Sequence, residues 1–173
     1  LNSKLKADSM DLSGFLEAVF VSPPTRVEGT AVFLTAAVGT VPNALLHNLK
    51  HNKVLHERVV LMNMAIVDQP FVADNDRVQT RHLEHNIHCV HVNYGFMEEP
   101  NVMRAVALLR AREFHFSLMQ ISFFVGKEKV VAKHSSPLLL APFIMMHRMM
   151  QGATEYFKIP FDHAIEIGGH IEI

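Results

Sequence analysis

The chain has a single cysteine, Cys89, among 173 residues. A lone thiol excludes an internal disulfide and every multi-cysteine zinc or iron-sulfur site, and it fits a reducing compartment such as the cytoplasm. Excess basic charge is missing as well: 16 Lys and Arg stand against 17 Asp and Glu, for a net charge of -1 with histidine neutral. Without a positive field to hold a phosphate backbone, nucleic acid is not expected as a partner. Eight glycines occur, none of them in a GxGxxG or Walker-type loop, so neither a dinucleotide fingerprint nor a P-loop is present. Long apolar runs are also lacking. A membrane-spanning helix needs roughly 18 to 20 consecutive apolar residues. The nearest stretch, Pro137 to Met150, is shorter, carries His147 and Arg148, and contains Pro142. It reads as a core helix, and no secretory signal is visible at the N-terminus.

What is present describes a globular domain. Hydrophobic residues make up 49% of the chain and charged residues 19%, enough for one well-filled core, and the mean hydropathy of +0.16 leans toward an object that covers some surface with a partner. Residues 1–9 read as a linker and 10–173 as a single domain. Ser9 is placed to cap a helix over Met10 to Val21, which Pro23-Pro24 stops. The uniform apolarity of Thr30 to Thr35 predicts a strand covered on both faces. Leu45, Leu46 and Leu49 recur at helical spacing after Asn43, an expected N-cap, and a second buried strand is expected over Val59 to Val67.

Further along, Arg77 to Glu84 and Asn86 to Asn93 are separated so briefly that an antiparallel hairpin is expected. Glu98 and Glu99 stand just ahead of a helix over Asn101 to Arg112, where negative charge favours the open backbone N–H groups. Leu118 to Val125 and Val130 to Lys133 read as a second hairpin turning across Gly126-Lys127-Glu128-Lys129. A last helix is expected from near Pro142 to about Phe157, with Met145, Met146, Met149 and Met150 on one face, followed by a closing strand from Ala164 to Ile173. Helix-strand alternation together with two hairpins predicts an α/β domain, a mixed sheet of about six strands covered by three or four helices.

Five strings in this chain resemble, in order and spacing, the cytoplasmic C-terminal domain of the Kup family of potassium uptake transporters. They are Gly29 to Thr35 with the following Pro42 to Val60, Tyr94 to Pro100 (YGFMEEP), Ser122 to Glu128 (SFFVGKE), Phe157 to Pro160, and Glu166 to Ile173. The resemblance covers nearly the whole chain. The chain departs from the family at Ala36-Ala37-Val38-Gly39 and at Met150-Gln151-Gly152. Family membership implies an accessory domain at the cytoplasmic face of the inner membrane, next to the transmembrane portion of a potassium:proton symporter and supporting assembly or regulation of uptake. Residues 1–9 would then join it to that portion, with Lys4 and Lys6 near the headgroups. A homodimer and the nucleotide cyclic di-AMP also follow from the family as expected partners, and no cofactor is implied.

The candidate ligand or partner surface is the basic neighbourhood of His47, Lys50, His51, Lys53 and Arg58. His47 and His51 have the four-residue spacing of helical metal ligands, but no third ligand is near in sequence. Cys89 and His91 share a strand face, and with a residue from the partner strand they outline a metal site short of ligands. Two other classes compete. One is a free-standing enzyme using Glu98 or Asp162 with a histidine as acid and base, and the other is a metal- or nucleotide-responsive binding module. An apolar membrane portion encoded upstream would discard the enzyme, and an unchanged melting temperature under zinc would discard the metal module.

Overall fold

The computed structural model describes residues 11–35, 37–112, 114–115, 117–131 and 152–172. Helix α1 (Leu12–Val21) is capped by Asp11, whose carboxylate accepts from the Gly14 N–H. The expected cap, Ser9, lies outside the described residues. Strand β1 (Thr25–Thr35) starts earlier than its apolar run suggested, because Gly29, at φ +104°, absorbs an irregularity between Val27 and Thr30 and lets the polar segment before it keep pairing. Helix α2 (Asn43–Asn52) is capped by Pro42, not Asn43, and it ends on Lys53 in a left-handed conformation with its N–H on the Asn48 and Leu49 carbonyls. The chain passes at once into β2 (Val54–Val67).

After β2 come the one-turn helix α3 (Asp74–Arg77), β3 (Val78–Leu83) and β4 (Ile87–Gly95). The first expected hairpin is present. Strands β3 and β4 pair antiparallel, and both His85 (φ 60°) and Asn86 (φ 57°) occupy the left-handed region that a tight turn of matching twist requires. Helix α4 (Val102–Arg112) follows, then a 3-10 turn (Leu118–Gln120), β5 (Ile121–Val131), the one-turn helix α5 (Ala153–Tyr156), a second 3-10 turn (Phe161–His163) and β6 (Ala164–Glu172).

The second expected hairpin is not formed. Residues 121–131 are one continuous strand whose neighbours, β1 and β6, both run parallel to it. Gly126 does not take the positive φ that a tight turn asks of it, so Gly126 to Lys129 simply extends the strand. The expected helix from Pro142 is described only at its far end, α5, and its methionine face lies outside the described residues. The closing strand is where it was expected.

The sheet order is β3-β4-β2-β1-β5-β6, parallel throughout except for the edge strand β3. This is the expected mixed sheet of six strands. Each face carries its own core. Leu12, Phe15, Ala44 and Leu45 from α1 and α2 cover Ala31, Phe33, Val59, Leu61, Ile87 and Phe124 on one face. Val102, Ala105, Val106 and Leu109 from α4, with Phe114 and Ile159, cover Val32, Val60, Met62, Val90, Val92 and Phe123 on the other. Alternate residues of each strand thus feed opposite cores, which is why β1 and β2 are apolar without alternation. The chain leaves β1 toward one edge of the sheet and returns through α4 to the other, so the carboxyl ends of β1, β2 and β4 form one rim next to the point where the topology reverses.

Candidate functional site

The proposed basic surface divides. His47 and His51 stack on α2 with ring centroids 5.8 Å apart, and Lys50 and Lys53 stand exposed beside them. Arg58 is not among them. Its guanidinium lies over the Phe114 ring at 5.8 Å and donates toward the His115 carbonyl, on the α4 face of the sheet, whereas α2 covers the opposite face. Strand alternation separates them, because Val59 points toward α2 and its neighbour Arg58 therefore points away. A depression of about 550 Å³ near Arg58 is lined, among the described residues, by Arg110, Ala111, Phe114, His115 and Ser117.

Two polar clusters stand on the carboxyl rim of the sheet. The first is built on Arg77, whose side chain is 0% exposed. Its Nη2 donates to Glu98 Oε1 at 2.7 Å and to the Val72 carbonyl at 2.5 Å. Its Nη1 reaches Glu98 Oε2 at 3.1 Å and the Asn93 carbonyl at 3.3 Å, and its Nε donates to Asp74 Oδ1 at 3.1 Å. Glu98 in turn accepts the Gly95 N–H at 2.7 Å and the Val72 N–H at 3.1 Å. The Arg77 guanidinium therefore holds the Glu98 carboxyl far below the ordinary glutamate range, at about 2, with the two backbone donors lowering it further. Tyr94 lies under the guanidinium at 5.0 Å, and its hydroxyl donates to the Asn101 carbonyl. Burial raises the Tyr94 phenol. A Cβ on Gly95 would come within 2.2 Å of the Pro70 carbonyl oxygen, so only glycine lets the two loops meet.

The YGFMEEP string is thereby explained residue by residue as a clamp. The helix-entry role expected of Glu98 and Glu99 falls instead to Asn101, whose side-chain oxygen accepts from the Met103 and Arg104 N–H groups. Glu98 serves Arg77, and Glu99 pairs with Lys158. Asp162 Oδ2 lies 3.6 Å from Nε2 of its neighbour His163. Glu98 is thus spent on Arg77 and backbone N–H groups, and of the two acids Asp162 is the one with a histidine beside it, its sequence neighbour His163. The clamp also carries exposed apolar side chains. Phe71 is 63% exposed, Phe96 58% and Met97 63%, on two loops joined by the Phe96 N–H to Gln69 and the Met97 N–H to Pro70.

The second cluster surrounds a cavity of about 240 Å³ on the α1 face. Thr35, Asn63, Cys89, His91, Gln79 and Arg81 supply its polar lining from four strands, and Leu12, Gly39 and Thr40 close one side. Asn63 is nearly buried and donates its amide to the Thr35 carbonyl at 3.0 Å. The Thr35 and Thr40 hydroxyls both donate to the Ala37 carbonyl. Register places Gln79 opposite His91 and Arg81 opposite Cys89. The residues that were to complete a metal site beside Cys89 and His91 are thus an amide and a cation, and among the described residues no group of three metal ligands converges. His91 Nδ1 is buried without a hydrogen-bond partner. Sequence reasoning had singled out Cys89 and His91 but not Gln79 or Arg81. The hairpin register, once anchored on the His85-Asn86 turn, was the signal that could have found them.

The fold and these clusters define an α/β domain in which one set of titratable groups is consumed in holding loops and another lines a small cavity. The chain belongs to the family described as the K+ potassium transporter C-terminal domain, whose model matches residues 28–173. It is 41% identical over 176 residues to a probable potassium transport system protein Kup from Azoarcus sp. strain BH72. It is 42% identical to a Kup 1 protein from Albidiferax ferrireducens and 44% identical to a Kup 1 protein from Bradyrhizobium sp. strain BTAi1. Each alignment covers all of this chain and 28% of the relative. No solved structure matches it. Among the described residues no helix is long and apolar enough to cross a membrane.

Proposed function

We propose that this chain is the cytoplasmic accessory domain of a Kup-type potassium:proton symporter, and that it supports assembly or regulation of potassium uptake without carrying ions or performing catalysis. The observation that carries the reading is the complete alignment of the chain with 28% of relatives named as potassium transport proteins. The family description sets this portion at the C-terminus, and the remaining length of such a protein is where ions would cross. The apolar ledge of Phe71, Phe96 and Met97 supports the partner assignment, because large apolar side chains held on a rigid clamp favour contact with another protein surface. Its occupant in this reading is the membrane portion of the same transporter.

The test is potassium uptake by the whole transporter in a bacterial strain without other uptake systems, with membrane abundance measured in parallel. Removing the domain lowers abundance if it serves assembly, and changes uptake per inserted molecule if it serves regulation. Unchanged abundance together with unchanged uptake overturns the proposal. Calorimetry of the chain against cyclic di-AMP and ATP, and sedimentation for a homodimer, then separate a nucleotide-responsive domain and a dimeric one from a purely structural support.

A further inference from the structure

We propose that the cavity bounded by β1, β2, β3 and β4 is a binding site for a small anion, a phosphoryl or carboxylate group on a compact molecule. The inference goes beyond assembly or regulation of transport and stands without either. It begins from charge. None of the thirteen described residues lining the cavity is acidic, and Arg81 is the only Lys or Arg among them. Of the other described arginines, Arg77 and Arg104 hold Asp74, Arg26 holds the His56 and His85 carbonyls, Arg112 holds the Asp74 and Val78 carbonyls and Arg58 donates toward the His115 carbonyl, while Arg110 lines the depression beside Phe114. Among the described residues Arg81 has no such partner. A guanidinium presents a planar fork of donors suited to two oxygens of one anion.

The neighbouring groups add donors to that fork. Gln79 stands two residues from Arg81 on the same face of β3, so its amide points to the same side of the sheet. Across the pair, His91 has a buried, unpartnered Nδ1. The Thr35 and Thr40 hydroxyl protons and one Asn63 N–H are already committed to carbonyls. The donors left are those of Arg81 and Gln79 and the second Asn63 N–H, with the unpartnered His91 Nδ1 on the same side of the sheet. Among the described lining residues a cation has no carboxylate to meet and would face Arg81. The cavity has the volume of about eight water molecules, room for a phosphoryl or carboxylate group.

Position gives the site a consequence. The loop after β1 forms one wall, and the Leu12 N–H donates to the Gly39 carbonyl at 3.2 Å while Asp11 and Thr40 form a bridge. An occupant touching Thr40 and Leu12 braces this clasp, which is where the chain enters α1.

Cys89 lines the cavity and is the only thiol in the chain, so it reports occupancy directly. The experiment titrates the 173-residue chain with inorganic phosphate, glycerol 3-phosphate and succinate. It follows Cys89 alkylation by iodoacetamide and the side-chain amide resonances of Gln79 and Asn63. At least one probe is expected to slow alkylation and shift both amides with a common saturation, and the phosphate and succinate arms decide between phosphoryl and carboxylate. Arg81→Met keeps the aliphatic stem and should weaken binding about tenfold, equivalent to about 1.4 kcal/mol. Arg81→Lys should fall between, and neither variant should change the melting temperature. The proposal is overturned if all three probes leave alkylation and amides unaffected, or if the Arg81→Met chain binds as tightly as the parent.

Discussion

The two polar clusters on the carboxyl rim are about equally rich in hydrogen-bonding groups, yet they differ in how those groups are spent. Around Arg77 every donor of the guanidinium fork that the structure places is taken, by two carboxylates and two carbonyls, and Glu98 accepts two further backbone N–H groups. Around Arg81 the fork is open, and His91, opposite Gln79, has a ring nitrogen without a partner. A saturated cluster stiffens the loops it ties, and a half-filled one holds donors in reserve for something that arrives later. Substitution in the first should therefore cost stability, and substitution in the second should cost binding alone.

The sharpest way to break this contrast is at Arg77. Arg77→Met strands the Glu98 carboxylate among backbone donors and should lower unfolding free energy by about 3 to 5 kcal/mol in urea titration. A loss below about 1 kcal/mol would mean that the clamp is not a clamp. Next comes Gly95→Ala, whose new methyl meets the Pro70 carbonyl and forces the two loops apart. Overpacking of this kind costs about 1 to 3 kcal/mol, measurable as a lower melting temperature, together with loss of protection at the Phe96 and Met97 amides.

A subtler handle is acid. The Glu98 carboxyl is lowered to about 2 from 4.5, so its contribution is complete above pH 4.5 and is lost as pH falls through about 2. A Glu98→Gln chain, less stable at neutral pH, should show a flatter stability profile across that interval. If the two profiles run parallel, the Arg77 pairing is not the source of the shift. The smallest effect belongs to the other cluster: Arg81→Met should change stability by less than about 0.5 kcal/mol, since the side chain is exposed and holds nothing. A larger loss would erase the distinction between the two clusters.

Much of the fold was readable because it rests on local patterns. The α1 and α2 stripes, the covered strands and the His85-Asn86 hairpin each follow from spacing within a few residues. The expected turn at Gly126 failed for a reason no local window contains. Whether that glycine bends or extends depends on β1 and β6 being available as parallel neighbours. The same limit applies to the sites. His47 and His51 come together because a helix fixes their spacing, whereas Arg58 lies across a change from helix to strand, where one residue of register decides the face. The cavity draws Thr35, Asn63, Arg81 and His91 from four strands, and only pairing brings them to one place. Glu98 was seen, but its partner Arg77 arrives from the far end of the hairpin.

Strand β1 has a neighbour on each side, and they are made at very different times. β2 follows it after one short helix, but β5 arrives only when most of the chain has been synthesised. On the ribosome the middle of the sheet must therefore wait with one hydrogen-bonding flank bare, a template for wrong partners until β5 docks. Closing that flank joins the early half of the chain to the late half in one step, which makes β1 the seam on which cooperative folding of the whole unit turns.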